Sequence, residues 1–125
     1  MKVQIQKKED QIMALADALK EKILKLGAKQ KLDAISKYAL NPNEDIRVTV
    51  AIALGMIPTY DSGMVLIRLL RDKSPMVRAA ACESAGTIHA KVCEEYIKKL
   101  AFSEEDPNVK QIAKKVFDQL RDRVA

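Results

Sequence analysis

A fifteen-residue pattern, 43–57, returns in this chain at 74–88. Asn43, Ile46, Arg47, Gly55 and Ile57 return as Ser74, Val77, Arg78, Gly86 and Ile88, each 31 positions further on. A third copy follows at a spacing of 32, with Asp106, Pro107, Val109 and Lys110 where Ser74, Pro75, Val77 and Arg78 stood. A fixed period of this size marks stacked copies of one supersecondary unit, each too small to bury its apolar face alone. Stacking is therefore obligatory, and the architecture follows from it.

The period in the apolar residues says that the unit is helical. Ile12, Leu15, Leu19, Ile23 and Leu26 recur at three- and four-residue steps, predicting a helix over 9–26 with Gly27 as its C-cap. A second helix is expected from Ala28, with Leu32, Ile35, Ala39 and Leu40 on one face, stopping before Asn41-Pro42. A third runs from Asn43 to near Ile57, because Pro58 cannot continue it. Asp61 or Ser62 opens a fourth, carrying Val65, Leu66, Leu69 and Leu70. Ser74-Pro75 and Asp106-Pro107 each supply an N-cap oxygen followed by Pro at the first helical position. Between them lies a helix with Val92, Tyr96, Ile97 and Leu100, and the last uses Val109, Ile112 or Ala113, Val116, Phe117 and Leu120. The expectation is an all-α solenoid of about seven helices in a single domain over 1–125. Three hairpins (28–57, 61–88 and 90–123), each an A helix followed by a B helix, follow an N-terminal capping helix that is a degenerate B helix, since Leu26-Gly27 ends it as Leu54-Gly55 ends the third.

Composition excludes several classes. No run approaches the ~18 apolar residues of a membrane span, and the first ten residues lack the apolar stretch of a signal peptide, so a cytoplasmic location is expected. The net charge of +5 is concentrated at the start, where residues 1–40 hold nine Lys against five acids. A lysine-dotted first helix reads as a solvated face; an electrostatic nucleic-acid binder spreads its basic residues along a groove. Cys82 and Cys93 fit neither a CxxC motif nor a disulfide framework, and Cys82 replaces Ala51 of the preceding repeat, as a small buried hydrophobe does. The single histidine, His89, has no adjacent Glu, so it reads as a helix-end residue rather than a metal ligand. With four glycines there is no phosphate-cradling loop, and no nucleophile–base arrangement can be assembled. The expectation is a chain that is not an enzyme and carries no cofactor or metal.

The phrase Asp45-Ile46-Arg47-Val48-Thr49-Val50-Ala51-Ile52-Ala53-Leu54-Gly55 resembles the second helix of a HEAT repeat, and Leu69-Leu70-Arg71-Asp72-Lys73-Ser74-Pro75-Met76-Val77-Arg78 resembles the turn between the two helices. A period of 31–32 is shorter than the ~40 residues of ordinary HEAT units and is similar to the short HEAT-like form of phycobilisome lyases. The resemblance implies an acid six residues before each repeat's arginine, the two paired in a ladder between neighbouring repeats. The matching positions are Asn41 with Arg47, Asp72 with Arg78, and Glu104 with Lys110, with Asn41 departing from the pattern. Asp72 is the first candidate partner for Arg78, and these residues are expected to be structural. The resemblance also leaves a lyase- or chaperone-like role open.

Solenoids present their B helices as a concave wall that binds partners. The wall positions read from the repeat are Val48, Thr49, Ile52 and Met56, then Ala79, Ala80, Glu83 and Thr87, then Gln111, Ile112, Lys115 and Gln119. Among them Val48, Thr49, Ile52, Met56, Glu83 and Lys115 are the partner-binding candidates. The reading is a non-catalytic adaptor or scaffold that binds a protein, with nucleic-acid binding through Lys20, Lys22, Lys25, Lys29 and Lys31 as the alternative. The Val48, Ile52, Met56 stripe has two explanations: an exposed patch that docks a partner or a second copy, or a surface buried under the N-terminal helix, with Leu24 or Met13 added to it.

Overall fold

The computed structural model describes residues 2–121. Its helices are α1 (Lys2–Ala28), α2 (Leu32–Ser36), α3 (Glu44–Leu54), α4 (Tyr60–Leu70), α5 (Pro75–Thr87), α6 (Glu94–Ser103) and α7 (Pro107–Arg121), with a 3-10 turn at Lys91–Cys93 before α6. No strand occurs among the described residues. The chain is a two-layered all-α array. Helices α1, α3, α5 and α7 stack in sequence as one layer, and α2, α4 and α6 lie against them as the other.

The B helices start where the sequence placed their caps. Asn43 Oδ1 accepts from the N–H of Asp45 (2.8 Å) and of Ile46 (3.3 Å), and Asp106 Oδ1 from Asn108 and Val109, both at 3.0 Å. The Ser74 hydroxyl oxygen accepts from Val77 N–H at 3.4 Å, with Pro75 at the first helical position. Each B helix then buries one apolar stripe: Ile46, Val50, Ala53 and Leu54 in α3, Val77, Ala81 and Ala85 in α5, Val109, Ala113, Val116 and Leu120 in α7. The A helices complete this core with Ile35, Leu66, Leu69, Leu70 and Ile97. Small residues dominate the B-layer contacts, so the stacked helices approach closely.

That approach is made at three glycines. A Cβ on Gly27 would lie 3.0 Å from the Cβ of Ala53, one on Gly55 2.6 Å from the Ser84 hydroxyl, and one on Gly86 3.2 Å from a Val116 methyl. Each glycine ends one B helix against the corresponding point of the next, which makes Gly27 the structural equivalent of Gly55. Helix α1 thus sits in the B layer. The Ser84 hydroxyl uses the gap at Gly55 to donate to the Ala51 carbonyl at 2.6 Å, tying α5 to α3.

Several expectations need correction. Helix α1 begins at Lys2 rather than Glu9, because nothing between the two breaks a helix. Gly27 lies inside α1 and is not its cap. The left-handed position is taken by Gln30 (φ 57°), with Lys31 N–H bonding back to Leu26 O and Gln30 N–H to Gly27 O, both 2.9 Å. Helix α2 is only five residues, and the turn after it rotates Leu40 out to 72% exposure. The fourth helix starts at Tyr60, one residue before Asp61, because Thr59 is the cap, accepting from Ser62 N–H at 3.1 Å. Tyr96 also faces outward, while Ile97 takes the core position.

Candidate functional site

Two surfaces concern function: the ladder between repeats and the outer face of the B layer. In the ladder, the Arg47 guanidinium donates Nε to Asp72 Oδ2 (2.9 Å) and Nη2 to Asp72 Oδ1 (3.1 Å), while Nη1 donates to the carbonyls of Asn41 and Pro42. One repeat later, Arg78 donates Nε and Nη2 to the Glu104 carboxylate at 2.9 and 2.8 Å, and Nη1 to the Asp72 carbonyl at 2.9 Å. Each acid also fixes its own turn: Asp72 accepts from Ser74 N–H, and Glu104 from Asp106 N–H. Asn41 does the same with Asn43 N–H.

The pairing therefore runs forward by one repeat. Arg78 takes Glu104, not Asp72, whose side chain belongs to Arg47 and which offers Arg78 only its carbonyl. Six residues back along the chain is the reach of a carbonyl contact, whereas the facing carboxylate lies 25 or 26 residues on. Glu104 is accordingly not paired with Lys110, which makes no ion pair among the described residues. Asn41 can be neutral because no guanidinium faces it: the α1 residue corresponding to Arg47, 28 positions back by the Gly27–Gly55 match, is Leu19.

Charge follows from the geometry. Hydrogen bonding to Asp72 raises the Arg47 pKa against its burial, and hydrogen bonding to Glu104 does the same for Arg78. Burial pushes the Asp72 carboxyl up, but the Arg47 guanidinium and Ser74 N–H together hold it below its ordinary value. The Arg78 hydrogen bonds hold Glu104 low, against its burial. These are two near-buried, bidentate pairs whose donors and acceptors are filled from within the chain. A groove of about 1060 Å³ lies over the second pair, rimmed by Arg71, Glu95, Tyr96 and Lys99.

The outer face of the B layer is different. Matching Gly27 to Gly55 and Gly86 aligns Leu24 with Ile52, Glu83 and Lys115, and Ala28 with Met56, Thr87 and Gln119. Leu24 is 36% exposed, Ile52 46% and Met56 40%, while Glu83, Thr87, Lys115 and Gln119 are exposed. Val48 is half-buried. Thr49 is not part of this surface: it is buried, and its hydroxyl donates to the Asp45 carbonyl at 2.8 Å. Ala79 is buried too, and Ala80 and Ile112 are half-buried. Helix α1 lies beside α3 rather than across it, so the stripe at Ile52 and Met56 is left open. Glu83, Thr87, Lys115 and Gln119 line a depression of about 530 Å³ between α5 and α7, with His89 at its edge.

Leu24 is the residue that sequence reasoning did not place on this face. The signal was present in Leu26-Gly27, which sets α1 in register with α3 at an offset of 28. His89 sits at φ 51° in the left-handed turn after α5, where Ala90 N–H reaches Ala85 O at 2.9 Å. Among the described residues no group of three or more His, Cys, Asp or Glu is arranged to hold a metal ion. Cys82 and Cys93 are buried free thiols, and Cys93 Sγ donates to the Gly63 carbonyl at 3.3 Å. Of the N-terminal lysines, Lys20 is paired with Asp17 and Lys25 with Glu21. No described helix is long and apolar enough to cross a membrane.

No curated protein matches the chain. The HEAT repeat family model matches residues 65–92, from within α4 through α5 to the 3-10 turn, and this stretch has the helix–turn–helix form and the capped, arginine-bearing second helix just described. The chain carries a HEAT repeat at residues 65–92.

Proposed function

We propose that this chain is a non-catalytic adaptor that holds a protein partner against the outer face of its B layer. HEAT repeats generally mediate protein interactions, and the family match supports that coarse role. The observation that carries the finer reading is the open stripe of Leu24, Ile52 and Met56, leading into the polar depression of Glu83 and Lys115. An apolar anchor beside a charged rim is the make-up of a protein-binding surface. The same stripe offers little to a phosphate backbone. Two of the five N-terminal lysines are already paired with neighbouring acids, and the B face holds no line of Lys or Arg. In this reading the ladder acts on partners only by holding the wall rigid, the protein works in the cytoplasm, and it uses no metal or cofactor.

The test is Ile52→Lys. The side chain is half exposed, so the substitution is expected to change unfolding stability by at most ~1 kcal/mol. Capture of the native partner, identified by cross-linking from Lys115, is expected to fall at least ~10-fold, since a central apolar contact is worth 1–2 kcal/mol or more. A partner that the folded Ile52→Lys and Met56→Lys proteins both retain would remove this surface from consideration. Binding to nucleic acid that weakens steeply with salt would favour the lysines of α1 instead.

A further inference from the structure

Helix α1 is longer than its place in the array requires. With Gly27 matched to Gly55, the first helical residue of α3, Glu44, corresponds to residue 16 of α1. Residues 2–15 extend beyond that point, and every one of them is exposed. At 1.5 Å per residue this overhang is about 21 Å of helix with no neighbour.

The overhang is not a solvated spike. The stripe by which α1 packs on the body, Leu19, Ile23 and Leu26, continues along the same helical face as Ile12 with Leu15, and then Ile5. Ile5, Ile12, Leu19 and Leu26 fall at strict seven-residue spacing, with Lys8, Leu15 and Lys22 at the intervening positions. A seven-residue apolar repeat is the seam of paired helices. The C-terminal half of this seam is closed by the body, with Ile23 fully buried. The N-terminal half is open, with Ile5 55% exposed, Ile12 66% and Leu15 71%.

We propose that the overhang of α1 is a self-association helix, which pairs antiparallel with the same segment of a second copy of this chain. Three features favour a second copy in that orientation. The open seam is continuous with an interface the chain already makes with itself, so its spacing and residue types suit another helix of its own kind. Residues 2–15 carry three Lys and two acids, so in a chain of net charge +5 this is a segment that a second copy can approach with little repulsion. Lys8 then selects the direction. Parallel pairing would set it against its own copy within the seam, whereas antiparallel pairing of Ile5 with Leu15 sets it against Ile12, along which its stem can lie while the ammonium reaches water. Antiparallel pairing also places the two basic bodies at opposite ends of the helix pair.

This surface is separate from the wall around Ile52, and the experiment keeps the two apart. The full chain is measured by sedimentation velocity across micromolar concentrations, alongside Ile12→Lys, Leu15→Lys and Ile52→Lys. The overhang makes no core contact, so both overhang variants are expected to melt with the parent at concentrations where the parent is monomeric. The parent is expected to dimerise, and either overhang variant to weaken the dimer by roughly a hundredfold or more, because a two-fold contact loses the same side chain twice. Ile52→Lys is expected to dimerise like the parent. Oxidation of a mixture of Ile5→Cys and Leu15→Cys chains is expected to give a cross-linked heterodimer, with the buried Cys82 and Cys93 silent. A parent that stays monomeric to 100 μM (roughly the weakest association worth calling specific) would overturn the proposal. So would a dimer that survives Ile12→Lys, a dimer lost in Ile52→Lys alone, or efficient self-cross-linking of Lys8→Cys.

Discussion

Replacing Arg78 by Ala tests how the repeats are held in register. The substitution removes two hydrogen bonds to the Glu104 carboxylate and one to the Asp72 carbonyl. The Glu104 side chain is only 6% exposed, so water cannot take the place of the guanidinium without the turn opening. Breaking a fully buried pair from one side costs about 3–5 kcal/mol. Here the arginine keeps 18% exposure and Glu104 retains the N–H of Asp106 at 3.1 Å, so the cost falls below that range, about 2–3 kcal/mol. For a chain of this size that is roughly a 10 °C fall in Tm. The assay is urea unfolding of parent, Arg78→Ala, Glu104→Ala and the double variant, at neutral and acid pH. Contact between the two side chains predicts a coupling of about 1–3 kcal/mol in the cycle. The pH dependence has a definite sign. Glu104 is held below its ordinary value, so its contribution is complete above the unfolded value of 4.5 and is lost as pH falls through the lower folded value. The gap between parent and Arg78→Ala should therefore narrow below about pH 4.5. An Arg78→Ala protein with the parent's midpoint, or a gap that persists unchanged into acid, would refute the ladder as a source of stability.

Two further outcomes follow from the packing. Gly55→Ala would stabilise an open helix by ~0.5–1 kcal/mol, but here the new methyl meets the Ser84 hydroxyl and α3 must part from α5, so a net loss of about 1–3 kcal/mol is expected by urea unfolding; a neutral or stabilised variant would deny the close approach. Cys82 and Cys93 are buried and their thiols are pushed up to about 12 by that burial, so neither is expected to react with Ellman's reagent at pH 8 until the chain is unfolded, and fast labelling of the native protein would contradict the core assignment.

The repeat, and the starts and core stripes of α3, α5 and α7, were legible in the amino-acid sequence because they depend on local chemistry. Asn43, Ser74 and Asp106 cap helices through their own next three residues, Pro75 and Pro107 cannot sit elsewhere in a helix, and a 3.6-residue period needs no neighbour to define it. The candidate ladder residues came instead from the resemblance to HEAT repeats, and Lys110 among them lies outside the ladder. What this left undecided was their pairing. Arg78 stands six residues from Asp72 and 26 from Glu104, and only the stacking of one repeat on the next brings the more distant carboxylate within 2.8 Å. Tertiary structure also decided the fate of Ile52 and Met56. Both readings of that stripe were compatible with the residues, and the choice between them rests on where α1 lies. It lies beside α3 because Gly27 leaves the space that a Cβ there, 3.0 Å from that of Ala53, would fill, a close approach between positions 26 residues apart that no local rule contains.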